Sequence, residues 1–131
     1  MIKGSCHCQS VRWTYKTELE SATACNCTVC RRYGSLWAYD HLNEGIEVSG
    51  ETNYYARDEK HIEFHFCKAC GCVAYWLAAK EHVQGKKRMA VNLRLADDPE
   101  QIKDLPIDHF DGLDEFKDLP SDGRCIKDLW F

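Results

Sequence analysis

Alternation with a period of two dominates the hydrophobic pattern of this chain, and helical spacing is rare. Residues 11–16 (Val-Arg-Trp-Thr-Tyr-Lys) alternate between two faces and are rich in β-formers, which predicts a strand. A second is expected over 35–39, after the break at Gly34; its aromatics read as core, or one ring as a wall beside the stretch over 25–30. Two short strands over 46–48 and 54–56 are joined by Ser49-Gly50-Glu51, a turn composition. Residues 61–66 alternate cleanly, with Ile62, Phe64 and Phe66 on one face and His61, Glu63 and His65 on the other, which reads as an exposed sheet face. Strands follow over 73–77 and 88–95. In the latter, Met89, Val91, Leu93 and Leu95 share one face, and Arg88, Ala90, Asn92 and Arg94 share the other. Only 97–104 reads as a helix, from an Asp cap, an early Pro99 and an acidic first turn. Residues 17–23 and 81–87 are polar and read as loops. The tail over 107–131 has turns at Asp111-Gly112 and Pro120-Ser121-Asp122-Gly123. Its apolar anchors are Phe110, Phe116, Leu119, Trp130 and Phe131, and it is expected to wrap the domain. The fold class is mainly β.

Cysteine placement adds chemistry to this scaffold. Of nine cysteines, eight fall in three groups: Cys6 and Cys8; Cys25, Cys27 and Cys30; Cys67, Cys70 and Cys72. Cys125 stands alone and reads as a lone thiol. Disulfides between such close neighbours would close strained rings. Thiolates this crowded need a cation between them, and zinc gathers sulfurs at about 2.3 Å. Cys25-Asn26-Cys27-Thr28-Val29-Cys30 supplies three ligands with no obvious fourth nearby, the arrangement of an open, catalytic site. Cys67-Lys68-Ala69-Cys70-Gly71 is a zinc-knuckle pattern, with Gly71 suited to the left-handed position after the second ligand. A redox Cys-x-x-Cys would normally open a helix, whereas a strand follows here. Gly4 can supply unusual dihedrals before Cys6-His7-Cys8, and His7 points away from both thiols on an extended segment.

Spacing leaves the pairing of the groups open. Cys6/Cys8 with Cys67/Cys70 would make a closed site and leave Cys25, Cys27 and Cys30 open. The reverse is also compatible: Cys67, Cys70 and Cys72 as the open triad, with Cys6 and Cys8 joining the Cys25 group. Cys72 is also a candidate fourth ligand for that group. Thiolates suit iron as well as zinc.

Charge and length narrow the partners. With 131 residues the chain is sized for one domain. A net charge of −4 and the lack of a Lys/Arg run disfavour nucleic acid. Arg57-Asp58-Glu59-Lys60-His61 has mixed sign and reads as a solvated turn. No apolar run approaches the roughly 20 residues that span a bilayer, and Met1 to Cys6 lack a leader's apolar stretch. A reducing, cytoplasmic location is expected, as is a monomer or homodimer. Arg31 and Arg32 follow the three-thiol stretch, where cations lower thiol pKa or hold an anion, or simply form a solvated face.

These motifs together carry a resemblance. Gly-Ser-Cys6-His-Cys8, Cys25-x-Cys27-x-x-Cys30-Arg31 and Phe66-Cys67-x-x-Cys70-Gly71 resemble the glutathione-dependent formaldehyde-activating enzyme family, also called the centromere protein V/GFA domain. Val91-Asn92-Leu93-Arg94 and His109-Phe110-Asp111-Gly112 extend it over most of the chain. The resemblance implies an Mss4-like zinc-binding β-fold with short helical segments, as one domain over 1–131. It implies two zinc ions: a structural one on Cys6, Cys8, Cys67 and Cys70, and an open-site one on Cys25, Cys27 and Cys30. It also implies a carbon–sulfur lyase-type reaction, joining formaldehyde to glutathione as S-hydroxymethylglutathione. Arg31, Asn92 and Arg94 are the candidate partners of the carboxylates of such a small thiol. Cys72 exceeds the seven implied ligands. The competing expectation is a non-enzymatic zinc-binding module whose second metal is structural, closed by Cys72 or by a partner. A chaperone-like or exchange-factor role would rest on fold analogy.

Overall fold

Short runs of β-branched and aromatic residues, cut by turn residues, give a mainly β architecture in the computed structural model, which describes residues 1–57 and 59–129. In chain order the strands begin with β1 (Ile2–Ser5), β2 (Arg12–Tyr15) and β3 (Ala22–Cys25). The one-turn helix α1 (Cys30–Tyr33) comes next. Then follow β4 (Trp37–His41), β5 (Ile46–Ser49), β6 (Thr52–Ala56), β7 (Ile62–Cys67) and β8 (Val73–Ala78). The last three are β9 (Arg88–Asn92), β10 (Ile107–Asp111) and β11 (Lys117–Asp118). Among the described residues, no helix is long and apolar enough to cross a membrane.

The strands form two sheets. A three-stranded antiparallel sheet runs β1-β2-β5, and an eight-stranded sheet runs β11-β10-β3-β4-β9-β8-β7-β6. The strands expected over 46–48 and 54–56 exist, but they sit in different sheets rather than in a hairpin. Gly50 makes that crossing with φ +98°, and a Cβ there would lie 2.1 Å from the Ser10 carbonyl oxygen, so only glycine fits. Gly4 is needed for a different reason from the one expected. Its φ is not positive, but a Cβ would lie 2.2 Å from the Trp13 ring. The left-handed residue after Cys8 is Gln9, with φ 67°.

Three further expectations are corrected. The strand read over 88–95 ends at Asn92, and Leu93–Leu95 form a 3-10 turn. The Asn92 side chain accepts from the Arg94 N–H at 3.2 Å and so caps that turn. Its polar face is exposed only at Arg88: Ala90 and Asn92 are buried like Met89 and Val91, because β9 lies inside the sheet with both faces covered. The helix read over 97–104 is a single 3-10 turn, Pro99–Gln101, capped by Asp98 through the Glu100 N–H at 3.1 Å. The loop read over 17–23 runs into β3, which carries the first thiol of the triad.

The core has two parts. One gathers Trp13, Leu36, Ile46, Met89 and Ile102 between the two sheets. The other gathers Trp37, Phe64, Trp76 and Ala90 with Cys27 and Cys30. The tail does wrap back, but on other anchors: Ile107 and Ile126 are buried, whereas Phe116 is 76% exposed and Leu119 is exposed. Trp130 and Phe131 lie outside the described residues, as does Asp58 of the stretch read as a solvated turn.

Candidate metal centres

Cys6 and Cys8 follow β1, Cys67 ends β7, and Cys70 lies in the turn before β8. The first pair therefore comes from the small sheet and the second from the large one. All four sulfurs lie within 4.8 Å of one another. Cys6 to Cys8 and Cys8 to Cys67 are each 3.6 Å, close to the spacing of about 3.8 Å that tetrahedral sulfurs 2.3 Å from one zinc would have. Backbone N–H groups already point at the sulfurs: Val11 N–H to Cys6 and Ala69 N–H to Cys67, both at 3.3 Å. The knuckle closes as expected, with Gly71 at φ +80° donating to the Cys67 carbonyl at 2.9 Å. N–H groups of Cys72 and Cys8 draw the Cys70 thiol down to about 5, while burial pushes Cys6 up to about 11. A cation is what lets all four ionise together. The donor set and its spacing fit a closed zinc site.

The second cluster is built differently. Cys25 ends β3, Cys27 lies in the following turn, and Cys30 opens α1. Their sulfurs also lie within 4.8 Å of one another. The Cys30 N–H donates to the Cys27 sulfur at 3.3 Å, and the Trp37 indole N–H donates to the Cys30 sulfur at 3.4 Å. The helix stops at once, because Gly34 at φ 65° donates back to the Cys30 carbonyl. A hydrogen bond from Cys30 draws Cys25 down to about 6, and that bond together with burial pushes Cys30 up. Among the described residues, no fourth metal-ligating side chain joins these three. Three converging sulfurs fit a zinc ion that keeps one position for something else.

That position faces a cavity of about 480 Å³. The cluster supplies Cys25, Cys27 and Cys30 to its wall, and Trp37, Phe64, Trp76 and Tyr39 continue it. Polar groups also line it: Arg57, Glu59, His61, Arg88 and Asp118. The Arg88 guanidinium lies 5.2 Å from the centre of the Tyr39 ring. Burial pushes the Tyr39 phenol up to about 12, so it stays protonated.

The third wall comes from a segment that local pattern left as a tail. β10 runs parallel to β3, with Phe110 opposite Cys25. This brings Gly112 onto the cluster, where a Cβ would lie 2.6 Å from the Cys25 sulfur and 3.1 Å from the Cys27 Cβ. Only glycine allows its N–H to reach the Cys25 sulfur at that range. Asp111 holds the arrangement. Its carboxylate accepts from the N–H groups of Leu113, Asp114 and Glu115 at 3.2, 3.0 and 3.1 Å, and from the Asn26 amide at 3.3 Å.

The sequence profile described as glutathione-dependent formaldehyde-activating enzyme matches residues 1–109. The chain belongs to that family. No curated protein matches it in sequence. Among solved structures, a crystal structure of a Rhodobacter sphaeroides protein superposes with a TM-score of 0.61 at 22% identity. It covers 80% of this chain and 98% of its own, and supports the fold alone.

Within this family member, the residues predicted from sequence fall into two sets. The seven thiols assemble as two clusters, Cys6/Cys8/Cys67/Cys70 and Cys25/Cys27/Cys30. The reverse pairing is not seen. Cys72 belongs to neither cluster: its sulfur accepts from the His7 N–H and feels the charges of Cys70 and Cys67, so it lies beside the closed site. The structure does not bring Arg31, Asn92 or Arg94 to the cavity wall. Arg31 is exposed on α1. Asn92 is buried, accepting from the Leu36 N–H and donating to the Val73 carbonyl at 2.9 Å. Arg94 donates to the carbonyls of Gly34 and Leu129. In the 61–66 series, His65 is bonded to Thr52 and Glu63 and stacked on Tyr75, so that face is more enclosed than expected. Arg57, Arg88 and Phe116 carry no local sign of the site; Tyr39 lies in the aromatic run that follows the three-thiol stretch, and Phe110 in the motif over 109–112.

Proposed function

We propose that the protein is a zinc-dependent carbon–sulfur lyase-type enzyme that joins a small thiol to an aldehyde and reverses that reaction. Formaldehyde and glutathione are the pair for which its family is named. The observation that carries this reading is the cavity opening onto three converging sulfurs with no fourth protein ligand among the described residues. In the reaction the thiol sulfur bonds to the carbonyl carbon, the C=O π pair moves to oxygen, and the thiol proton ends on that oxygen. Zinc held by Cys25, Cys27 and Cys30 would supply a Lewis acid for the aldehyde oxygen or a carrier for the thiolate.

The chain's own residues supply the rest. Tyr39 is a protonated phenol in the cavity wall, suited to donate a hydrogen bond to the aldehyde oxygen and a proton to the adduct. Trp37 and Phe64 exclude water from the deep end. Arg57 and Arg88 face the carboxylates of a glutathione-like tail, the role first given to Arg31, Asn92 and Arg94. The position of Cys72 beside the other cluster speaks against an internal ligand closing this site.

The test is the exchange rate between free formaldehyde and its glutathione adduct, followed by magnetisation-transfer NMR. Protein holding two zinc ions is expected to accelerate it. Tyr39→Phe is expected to slow it by about 100-fold, and Cys30→Ala to abolish it. No acceleration by the two-zinc protein would overturn the reading.

A further inference from the structure

We propose that the cavity beside the Cys25 cluster is shaped for thiol adducts of aryl aldehydes, with Phe116 as the residue that sets this specificity. This rests on the enzyme reading above and names its substrate class. The hydroxymethyl group of a formaldehyde adduct has two heavy atoms and makes no use of aromatic walls, whereas several rings line the cavity of about 480 Å³ beside the thiols. Apart from the thiols, the most buried lining residues are aromatic. Trp37, Phe64 and Trp76 are almost wholly buried, and the last two rings pack on Tyr33 and Tyr39. The cavity's polar residues are more exposed: Glu59, His61, Arg88 and Asp118 all reach solvent, and Arg57 is half-buried. A polar tripeptide laid against the inner rings would lose hydrogen bonds to water without replacing them. A flat apolar group bonded to the reacting carbon suits those rings, and leaves the thiol partner's charged tail to the outer groups.

Phe116 is the second observation. It is 76% exposed, contributes little to the core, and still lines the cavity. Its backbone sits at φ 57°, a conformation that bulky residues rarely adopt. The turn that imposes it is held by the Asp111 carboxylate. The result is a ring set edge-on to Phe110, with centroids 5.0 Å apart and planes at 86°. That backbone conformation, at the end of a turn fixed by those bonds and on an exposed ring outside the core, points to a ligand contact. The pair would grip a third ring in the geometry that aromatic groups prefer. The reaction is unchanged in kind: the aryl aldehyde carbon gains a bond to the thiol sulfur, and the thiol proton passes to the carbonyl oxygen.

S-benzylglutathione and S-methylglutathione are stable thioether stand-ins for the two kinds of adduct. Their binding to the two-zinc protein is to be measured by calorimetry. The benzyl compound is expected to bind at least about tenfold more tightly. Phe116→Asn removes the ring while tolerating the left-handed backbone. It is expected to cut the benzyl-to-methyl ratio by about threefold or more. Equal affinities in the native protein, or a ratio that Phe116→Asn leaves untouched, overturn the inference. Either can occur while formaldehyde exchange is accelerated, which leaves the enzyme reading standing. Selective benzyl binding without exchange of any adduct does the opposite: the ligand class stands and the enzyme reading falls.

Discussion

The two cysteine clusters use the same atom for opposite ends. The closed one takes two sulfurs from each sheet and ties together elements about 60 residues apart in sequence. Its sulfurs lie at the spacing of a closed tetrahedron, and none of the four lines the cavity beside the other cluster. The open one takes three sulfurs from a six-residue stretch, so it closes no long loop. It is assembled against aromatic walls by a distant strand, β10, after which Gly112 must approach within contact of Cys25. Ligand count alone does not separate stabilisation from chemistry. What separates them is how much of the chain the metal joins and whether a space is left beside it.

The largest effect should come from the closed cluster. Structural zinc carries on the order of 10 kcal/mol of binding free energy coupled to folding. Cys6→Ala is therefore expected to abolish the cooperative thermal transition seen by circular dichroism; a native-like melt would break the comparison. Cys30→Ala should do much less. It leaves the Trp37 indole N–H without its acceptor, at a cost of about 1–3 kcal/mol, and removes one of two metal equivalents. Its near-ultraviolet spectrum should stay native-like, and loss of the fold would make this site structural too.

Asp111 sharpens the contrast through pH. N–H groups of Asp114 and Glu115 hold its carboxyl below the ordinary carboxylate range. Its contribution is complete above about pH 5 and is lost as pH falls through the lowered folded value. The difference in melting temperature between native protein and Asp111→Asn should be greatest near neutral pH and shrink toward acid. The variant should also weaken binding at the open site. A gap that grew on acidification would contradict this. The smallest effect belongs to Cys72→Ser: metal content unchanged and stability within about 0.5 kcal/mol of native. Loss of one metal would show that Cys72 ligates after all.

Local pattern was enough for much of this. The strands around residues 11–16, 61–66 and 73–77, the Cys67 knuckle and the three-thiol stretch depend on neighbours in sequence, and all are present. The misreadings share a cause. Asn92 and Arg94 look like a polar pair on an exposed strand face, but β9 is interior and its last turn winds into a 3-10 helix, so both side chains bond backbone groups. The parallel pairing of β10 with β3 joins residues some 85 apart, and no period within either strand encodes it. Phe116 in a polar turn reads as a tail anchor until Asp111 is seen fixing that turn over the cavity. Nothing local distinguishes Arg88 from any other charged strand end.

The most direct test of the contrast between the clusters is the visible spectrum of the protein loaded with two cobalt(II) ions, titrated with glutathione. Thiolate-bound cobalt reports its coordination in that spectrum, and each site contributes its own bands. The predicted result is that glutathione shifts the bands of one cobalt only, and that Cys30→Ala removes those bands and the response with them. If glutathione leaves both cobalt ions unchanged, or perturbs the four-cysteine site instead, the second cluster is not an open site.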